Sequence, residues 1–232
     1  DHMKNVAGRP FRSPHHTSSQ ISLIGGGTKP RPGEVSLAHH GVLFLDEIPE
    51  YPRSVLEALR QPLEDKSISV SRASGKATYP ADFILIATMN PCPCGYYGDT
   101  TKECSCAMSQ ILAYQKRLSG PLLDRIDMVV SVSRVANNEL LMTKTSSNIQ
   151  HKLSKELIQN ARNVQLNRYK SGVKNNGNIS SHDITSAIPL SAEVSSLLAT
   201  ATERLALSPR SYFKLIKVAR TIADLDASSD IQ

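Results

Sequence analysis

The sequence predicts an α/β core followed by a smaller, all-helical part. Three features carry that expectation: short apolar runs alternate with helical periodicity in residues 4–135, a polar stretch follows over 136–148, and residues 149–232 are helical in pattern only. The 232 residues are 40% hydrophobic and 21% charged, enough to bury a core without disulfide staples. No apolar run is long enough to span a bilayer and no signal peptide opens the chain, so the expectation is a cytoplasmic protein with no membrane partner. Residues 1–3, Asp-His-Met, read as a cloning scar, so the chain is expected to be an excised piece. A net charge of +6 suits nucleic acid or an anionic nucleotide, and equally a merely basic protein.

In chain order, residues 41–48 (GVLFLDEI) read as a buried parallel strand ending in acids. Pro52 opens a helical stretch with Val55, Leu56, Leu59 and Leu63 on one face. Residues 67–72 and 77–79 alternate around Ala73-Ser74-Gly75-Lys76 and predict a β-hairpin. Residues 83–89 (FILIATM) predict a second buried strand, stopped by Asn90-Pro91. A helix is expected over 111–118, broken by Gly120-Pro121, and a third strand over 128–132. Beyond the polar linker, helices are expected over 149–169, 191–205 and 209–225, with a Gly/Asn/Ser-rich loop at 170–181.

The chemistry-bearing residues follow from this frame. Asp46 and Glu47 end a strand, and strand ends in open parallel sheets face the ligand crevice. One carboxylate there can hold Mg²⁺ while the next orients or deprotonates a water, the Walker B pattern. An apolar strand running into an acidic turn is the plain alternative. Asn90 ends the next strand, where an amide can bond a phosphate oxygen or a water, although Asn-Pro is also an ordinary turn initiator. Arg125, in LLDRID, can stabilise charge on a neighbouring subunit's γ-phosphate or pair locally with Asp124 or Asp127. Arg210 follows Ser208, a good N-cap, and Pro209, a good first helical residue. A cation in a first turn opposes the helix dipole by roughly 0.3 to 1 kcal/mol, a sign that a bound phosphate would reverse, with a solvated surface arginine as the plain alternative.

Gly25-Gly26-Gly27 is not a P-loop, and no other stretch has G-x-x-x-x-G-K-[ST]. His15, His16, His39 and His40 lack partners at metal spacing and read as loop or helix-end histidines. The cysteines Cys92, Cys94, Cys104 and Cys106 form C-x-C-x9-C-x-C. Four thiolates can close a tetrahedral zinc site, with reversible disulfides and inert thiols as the other readings.

Acid pair, strand-end asparagine, pre-strand arginine and helix-start arginine occur in the order that AAA+ ATPases require. Longer strings, among them RPFRSPHHT, LIGGGTKPRPGEVSLAHHGVLFLDEIPE, LRQPLED, ATMNPCPCGYYGD, SGPLLDRID and LSPRSYFKLIKVARTIADL, resemble the magnesium-chelatase-like AAA+ family of the ComM/YifB type. The resemblance is close over residues 9–132 and looser over 136–205. It implies a partial AAA+ parallel-sheet core and a small all-helical lid, assembled in the full-length protein as a ring, usually a hexamer, that hydrolyses ATP with Mg²⁺. Asp46 then maps to the Walker B magnesium carboxylate, Glu47 to the catalytic glutamate, Asn90 to sensor 1, Arg125 to the arginine finger and Arg210 to sensor 2. The 67–79 hairpin and the loop around 25–33 map to inserts that line the pore of related helicases. Sequence-independent DNA contacts are therefore expected at Lys29, Arg31, Lys66, Arg72 and Lys76, with solvated turn cations as the plain alternative. Known members include a helicase promoting branch migration during natural transformation. The family's P-loop and N-terminal Lon-like domain are expected upstream, so this piece alone is expected to be inactive. Three rivals stand beside a DNA motor. The cysteine segment weighs against a metal-chelatase motor subunit, the lack of a GAFTGA-like loop against a σ54-type activator, and retention of the five ATPase residues against a non-hydrolysing scaffold.

Overall fold

The computed structural model describes residues 8–27, 30–72, 75–132, 146–171 and 175–232. The chain divides into two compact units, Asp1–Ile126 and Asp127–Gln232. Strands of the first unit are β1 (Phe11–Arg12), β2 (Gly25–Gly26), β3 (Arg31–Pro32), β4 (Val42–Leu45), β5 (Ser67–Arg72), β6 (Gly75–Pro80) and β7 (Ile84–Ala87). Its helices are α1 (Gln20–Ile24), α2 (Glu34–Leu37), α3 (Arg53–Ala58), α4 (Arg60–Asp65), α5 (Met108–Gln115) and α6 (Gly120–Leu123).

β1, β4 and β7 form a parallel sheet with β4 in the middle, Val42 opposite both Phe11 and Ile84. Parallel neighbours need long crossovers, and each crossover here carries an antiparallel hairpin: β2–β3 between β1 and β4, and β5–β6 between β4 and β7. Leu43 and Leu45 of β4 are fully buried against Leu23, Val35, Val55 and Leu56 from the crossover helices. Truncating either leucine to alanine in such a core costs about 2 to 5 kcal/mol. Gly41 lets β1 come close, since a Cβ there would lie 1.9 Å from the Pro10 carbonyl oxygen that accepts the Val42 N–H.

The α/β expectation holds, with five local corrections. The stretch after Pro52 is two helices, α3 and α4, because Pro62 has no N–H for the carbonyl four residues earlier. The hairpin's second strand starts at Gly75, so Gly75 and Lys76 are strand residues rather than turn. β7 is not buried on both faces: Ile84 and Ile86 are 56% and 47% exposed, because β7 is an edge strand among the described residues. Residues 128–132 form no strand; Met128, Val129, Val130 and Val132 are 65 to 87% exposed because no described strand pairs with them. Gly120 and Pro121, expected only to break a helix, sit in the first turn of α6 behind the N-cap Ser119.

The second unit contains α7 (Ser146–Tyr169), α8 (Ile184–Ala187), α9 (Ala192–Leu205) and α10 (Pro209–Leu225), with a 3-10 turn over Asn176–Asn178. Most of the expected linker at 136–148 lies outside the described residues. Ser191 and Ser208 cap α9 and α10, their hydroxyls accepting the Val194 and Ser211 N–H groups at 3.2 and 3.1 Å. Ile179, Ile184, Ile188 and Ile216 make the apolar core. Beside it, Asp224 accepts from Arg168 at 2.8 and 2.5 Å, from Asn176 at 2.8 Å and from Arg220 at 3.0 Å. Among the described residues, no helix is long and apolar enough to cross a membrane.

Candidate active site

The carboxyl ends of β4 and β7 meet at the candidate site. Their ladder runs past the strands, with Thr88 N–H donating to Leu45 O at 3.1 Å and Ile48 N–H donating to Thr88 O at 2.9 Å. This sets Asp46 beside Thr88. The Thr88 hydroxyl donates to Asp46 Oδ1 and accepts the Glu47 N–H at 2.9 Å, so one side chain fixes both acidic residues. Glu47 has φ 50° and ψ 52°, the left-handed region, which costs a non-glycine residue roughly 1 to 2 kcal/mol. Such strain persists only where the surroundings impose it and gathers at functional sites. Here buried Ile48 and Pro49 anchor the turn immediately after Glu47, while both carboxylates stay exposed.

Asn90 lies two residues beyond Thr88 and is exposed. Its backbone N–H faces the hydroxyl of Tyr114, a buried residue of α5. Burial first, then the carboxylates of Glu50 and Glu47, push that hydroxyl above the ordinary phenol range. From the same helix Gln115 Nε2 donates to Pro91 O at 3.2 Å, and just beyond it Arg117 donates to Pro49 O and Glu50 Oε2, both at 3.0 Å. The α5 segment thus clamps the Asn90 turn to the Glu47 turn. Asp46, Glu47 and Asn90 all follow the carboxyl ends of the paired strands β4 and β7. Thr88 and Tyr114 join them, and neither carried a sequence signal: a threonine in a strand and a tyrosine on a helix face read as ordinary fold formers.

Arg125 is placed differently from a free arm. Its side chain is 11% exposed, donates to Pro121 O at 2.6 Å and pairs with Glu64 of α4, with Nε unbonded. Arg210 is exposed in the first turn of α10, in the second unit. Of the basic residues, Arg31 and Lys76 are exposed, Lys66 is paired with Asp82 at 3.1 Å, and Lys29 lies outside the described residues. Arg72 closes β5, its backbone opposite Gly75. The two hairpins touch, with Tyr79 Oη donating to Pro30 O at 3.0 Å. His39 Nδ1 accepts the Asp82 N–H at 3.1 Å, and His15 bonds Thr17 at 2.9 Å; both serve their loops.

The four cysteines are free thiols, and their sulfurs all lie within 4.8 Å of one another. No other His, Cys, Asp or Glu group among the described residues gathers at metal-binding distance. Backbone N–H groups, that of Tyr96 foremost, hold the Cys94 thiol down to about 5. Against the pull of the Cys106 N–H, burial and the neighbouring thiols push Cys104 up to about 12.

The Thr88 clasp yields a test. Losing a hydrogen bond to a charged group costs about 1.5 to 3 kcal/mol, so if the acid pair serves ATP hydrolysis in the longer protein, Thr88→Val there lowers turnover about 10- to 100-fold. Thr88→Ser should retain most of it. Steady-state ATPase assays on folded variants check both.

An exposed acid pair at the carboxyl end of the central parallel strand, hairpins in both crossovers and a separate helical unit define a partial AAA+ core with its lid. The chain belongs to the magnesium chelatase family: the family described as magnesium chelatase, subunit ChlI, matches residues 1–140, and its C-terminal counterpart matches residues 146–232. It is 44% identical over 227 residues to the competence protein ComM of Haemophilus influenzae, covering 96% of this chain and 43% of that protein. Over the same lengths and shares it is 43% identical to the uncharacterized protein YifB of Escherichia coli. The YifB of Salmonella typhimurium is 41% identical over 223 residues, again 96% of this chain and 43% of the relative. The chain therefore spans less than half the length of these relatives.

Proposed function

We propose that the full-length protein is a cytoplasmic, ring-forming ATPase, a hexamer by family likeness, that couples ATP hydrolysis to remodelling of DNA. The clasped acid pair carries the ATPase part of this reading. Thr88 engages Oδ1 of Asp46 and leaves the other carboxylate oxygen for a hard cation, a donor set that fits Mg²⁺. Bound Mg·ATP would supply the phosphoanhydride for attack by water. Glu47, held off the strand axis by its left-handed turn, accepts the proton of that water, and Asn90 orients the water or a phosphate oxygen. Arg125 reaches a neighbour's nucleotide by exchanging Glu64 for phosphate, and Arg210 offers its charge from the first turn of the lid helix α10. No stretch of these 232 residues can cradle the phosphates as a P-loop does, so activity is assigned to the longer protein.

DNA as the partner is supported by the two hairpins, which are bonded to each other and present Arg31 and Lys76 to solvent. A relative bearing the name competence protein points the same way. Cations on projecting loops suit phosphate contacts without sequence preference. In the full-length assembly, Arg72→Ala with Lys76→Ala is expected to weaken DNA binding and to reduce the slope of log K against log salt by about 2. Unchanged affinity and slope would move the hairpins out of the DNA path and favour a chelatase motor. Lys66→Ala should change little, because Asp82 already holds that ammonium.

A further inference from the structure

We propose that Cys92, Cys94, Cys104 and Cys106 bind one zinc ion, which staples the loop between the Asn90 turn and α5. The geometry is that of a mononuclear thiolate site. Cys92 and Cys94 sulfurs stand 3.4 Å apart, Cys94 and Cys104 3.5 Å, and Cys92 and Cys104 3.7 Å, with Cys106 inside the same 4.8 Å cluster. Zinc–sulfur bonds of about 2.3 Å in a tetrahedron place sulfurs about 3.8 Å apart. A disulfide would need about 2.05 Å and would join only two of them. An iron–sulfur cluster, several atoms across, would hold its four thiolates further apart than these.

The backbone is arranged for the same purpose. The Tyr97 N–H donates to Cys92 Sγ at 3.3 Å, and N–H groups of Tyr96 and Ser105 are directed at Cys94 and that of Cys106 at Cys104. Such donors orient metal-bound thiolates and offset their negative charge. Gly95, at φ 81°, supports the turn closed by its own N–H to Cys92 O at 3.0 Å, which brings the Tyr96 and Tyr97 amides round to the sulfurs.

The loop also needs a staple. Residues 91–107 contain no helix or strand, and their sole buried side chain is the Cys92 thiol. A structureless stretch of this length has no core of its own and is uncommon in a compact domain without a functional or binding role. Its two ends flank the catalytic frame: Pro91 follows Asn90 and accepts from Gln115, while Ala107 occupies the N-cap position of α5. One ion on four thiolates closes the loop where α5 grips the Asn90 and Glu47 turns.

The chain is to be purified without chelator or metal-affinity tag and analysed for metals, with its thiols titrated by a chromogenic disulfide. The expected result is one zinc per chain and four thiols that react only after a strong chelator is added. Cobalt replacing zinc should give the intense thiolate-to-cobalt absorption and visible bands of a tetrahedral sulfur site. Cys106→Ser, at a half-exposed position, should lose most of the zinc while the second unit keeps its helical signal. Zinc well below one per chain after incubation with the ion, with all four wild-type thiols freely reactive, would overturn the proposal. So would stoichiometric iron with visible absorption.

Discussion

Glu47→Gln in the full-length protein is expected to lower ATP turnover by about 100- to 10,000-fold while nucleotide binding persists, the range that general-base catalysis supplies. The amide keeps the size of the side chain and its place in the left-handed turn, but it cannot accept the proton of an attacking water. Binding persists because Asp46 and its Thr88 clasp are untouched by the change. Arg125→Ala is expected to fail at the same step from the partner's side, by about 1,000- to 100,000-fold. A mixture of the two inactive variants should recover part of the activity, since some interfaces then pair an intact Glu47 with an intact Arg125. Lack of recovery despite proven subunit exchange would confine Arg125 to its Glu64 contact and to a structural role. The 232-residue chain by itself is expected to show no turnover, and brisk hydrolysis by it would overturn the division of labour with an upstream P-loop.

Local patterns with a strong physical cause were legible in the sequence. The buried run before Asp46, the Ser208-Pro209 start of α10, the alternation of the 67–80 hairpin and the clustering of four thiols each appear in the structure at or near the expected residues. What was not legible depends on partners distant in sequence. Residues 128–132 carry strand-like apolarity, yet a strand exists only where another lies beside it, and none of those described does. Ile84 and Ile86 read as buried for the same reason, because hydropathy cannot tell a central strand from an edge. Thr88 acts through residues 42 and 41 positions away, and Arg125 finds Glu64 at a separation of 61. The register of β4 on β7 creates the Thr88 contacts, and a single sequence does not display that register.

The polar core of the second unit was likewise invisible in sequence, and Asp224→Ala in this chain is expected to cost it about 3 to 5 kcal/mol, the range for removing one partner of a buried pair. Asp224 is 2% exposed and holds two cations, Arg168 and the equally buried Arg220. Arg220 also donates to the Ser229 and Ser228 carbonyls at 2.6 and 2.5 Å, so the network ties α7, the 3-10 turn and the C-terminal segment to α10. Alanine at 224 leaves the guanidinium groups near each other without their shared counter-ion, and the Asn176 amide deprived of its carboxylate partner. A loss of that size is a large share of the 5 to 15 kcal/mol that holds a typical domain together, roughly. Arg210→Ala, at an exposed position, should stay within about 0.5 kcal/mol. Burial alone would push the Asp224 carboxyl up; the hydrogen bonds from Arg168 and Asn176 and the charges of Arg168 and Arg220 outweigh it and hold the group below the usual carboxylate range. A lowered folded-state pKa contributes stability that is fully present above the unfolded value of about 4 and is lost as pH falls through the folded one. Urea unfolding followed through the helical signal should therefore show wild-type stability dropping below about pH 4 more steeply than that of Asp224→Asn, which has no proton to take up there. A destabilisation under about 1 kcal/mol for Asp224→Ala, or identical acid limbs for wild type and Asp224→Asn, would reduce the network to a surface arrangement of little energetic weight.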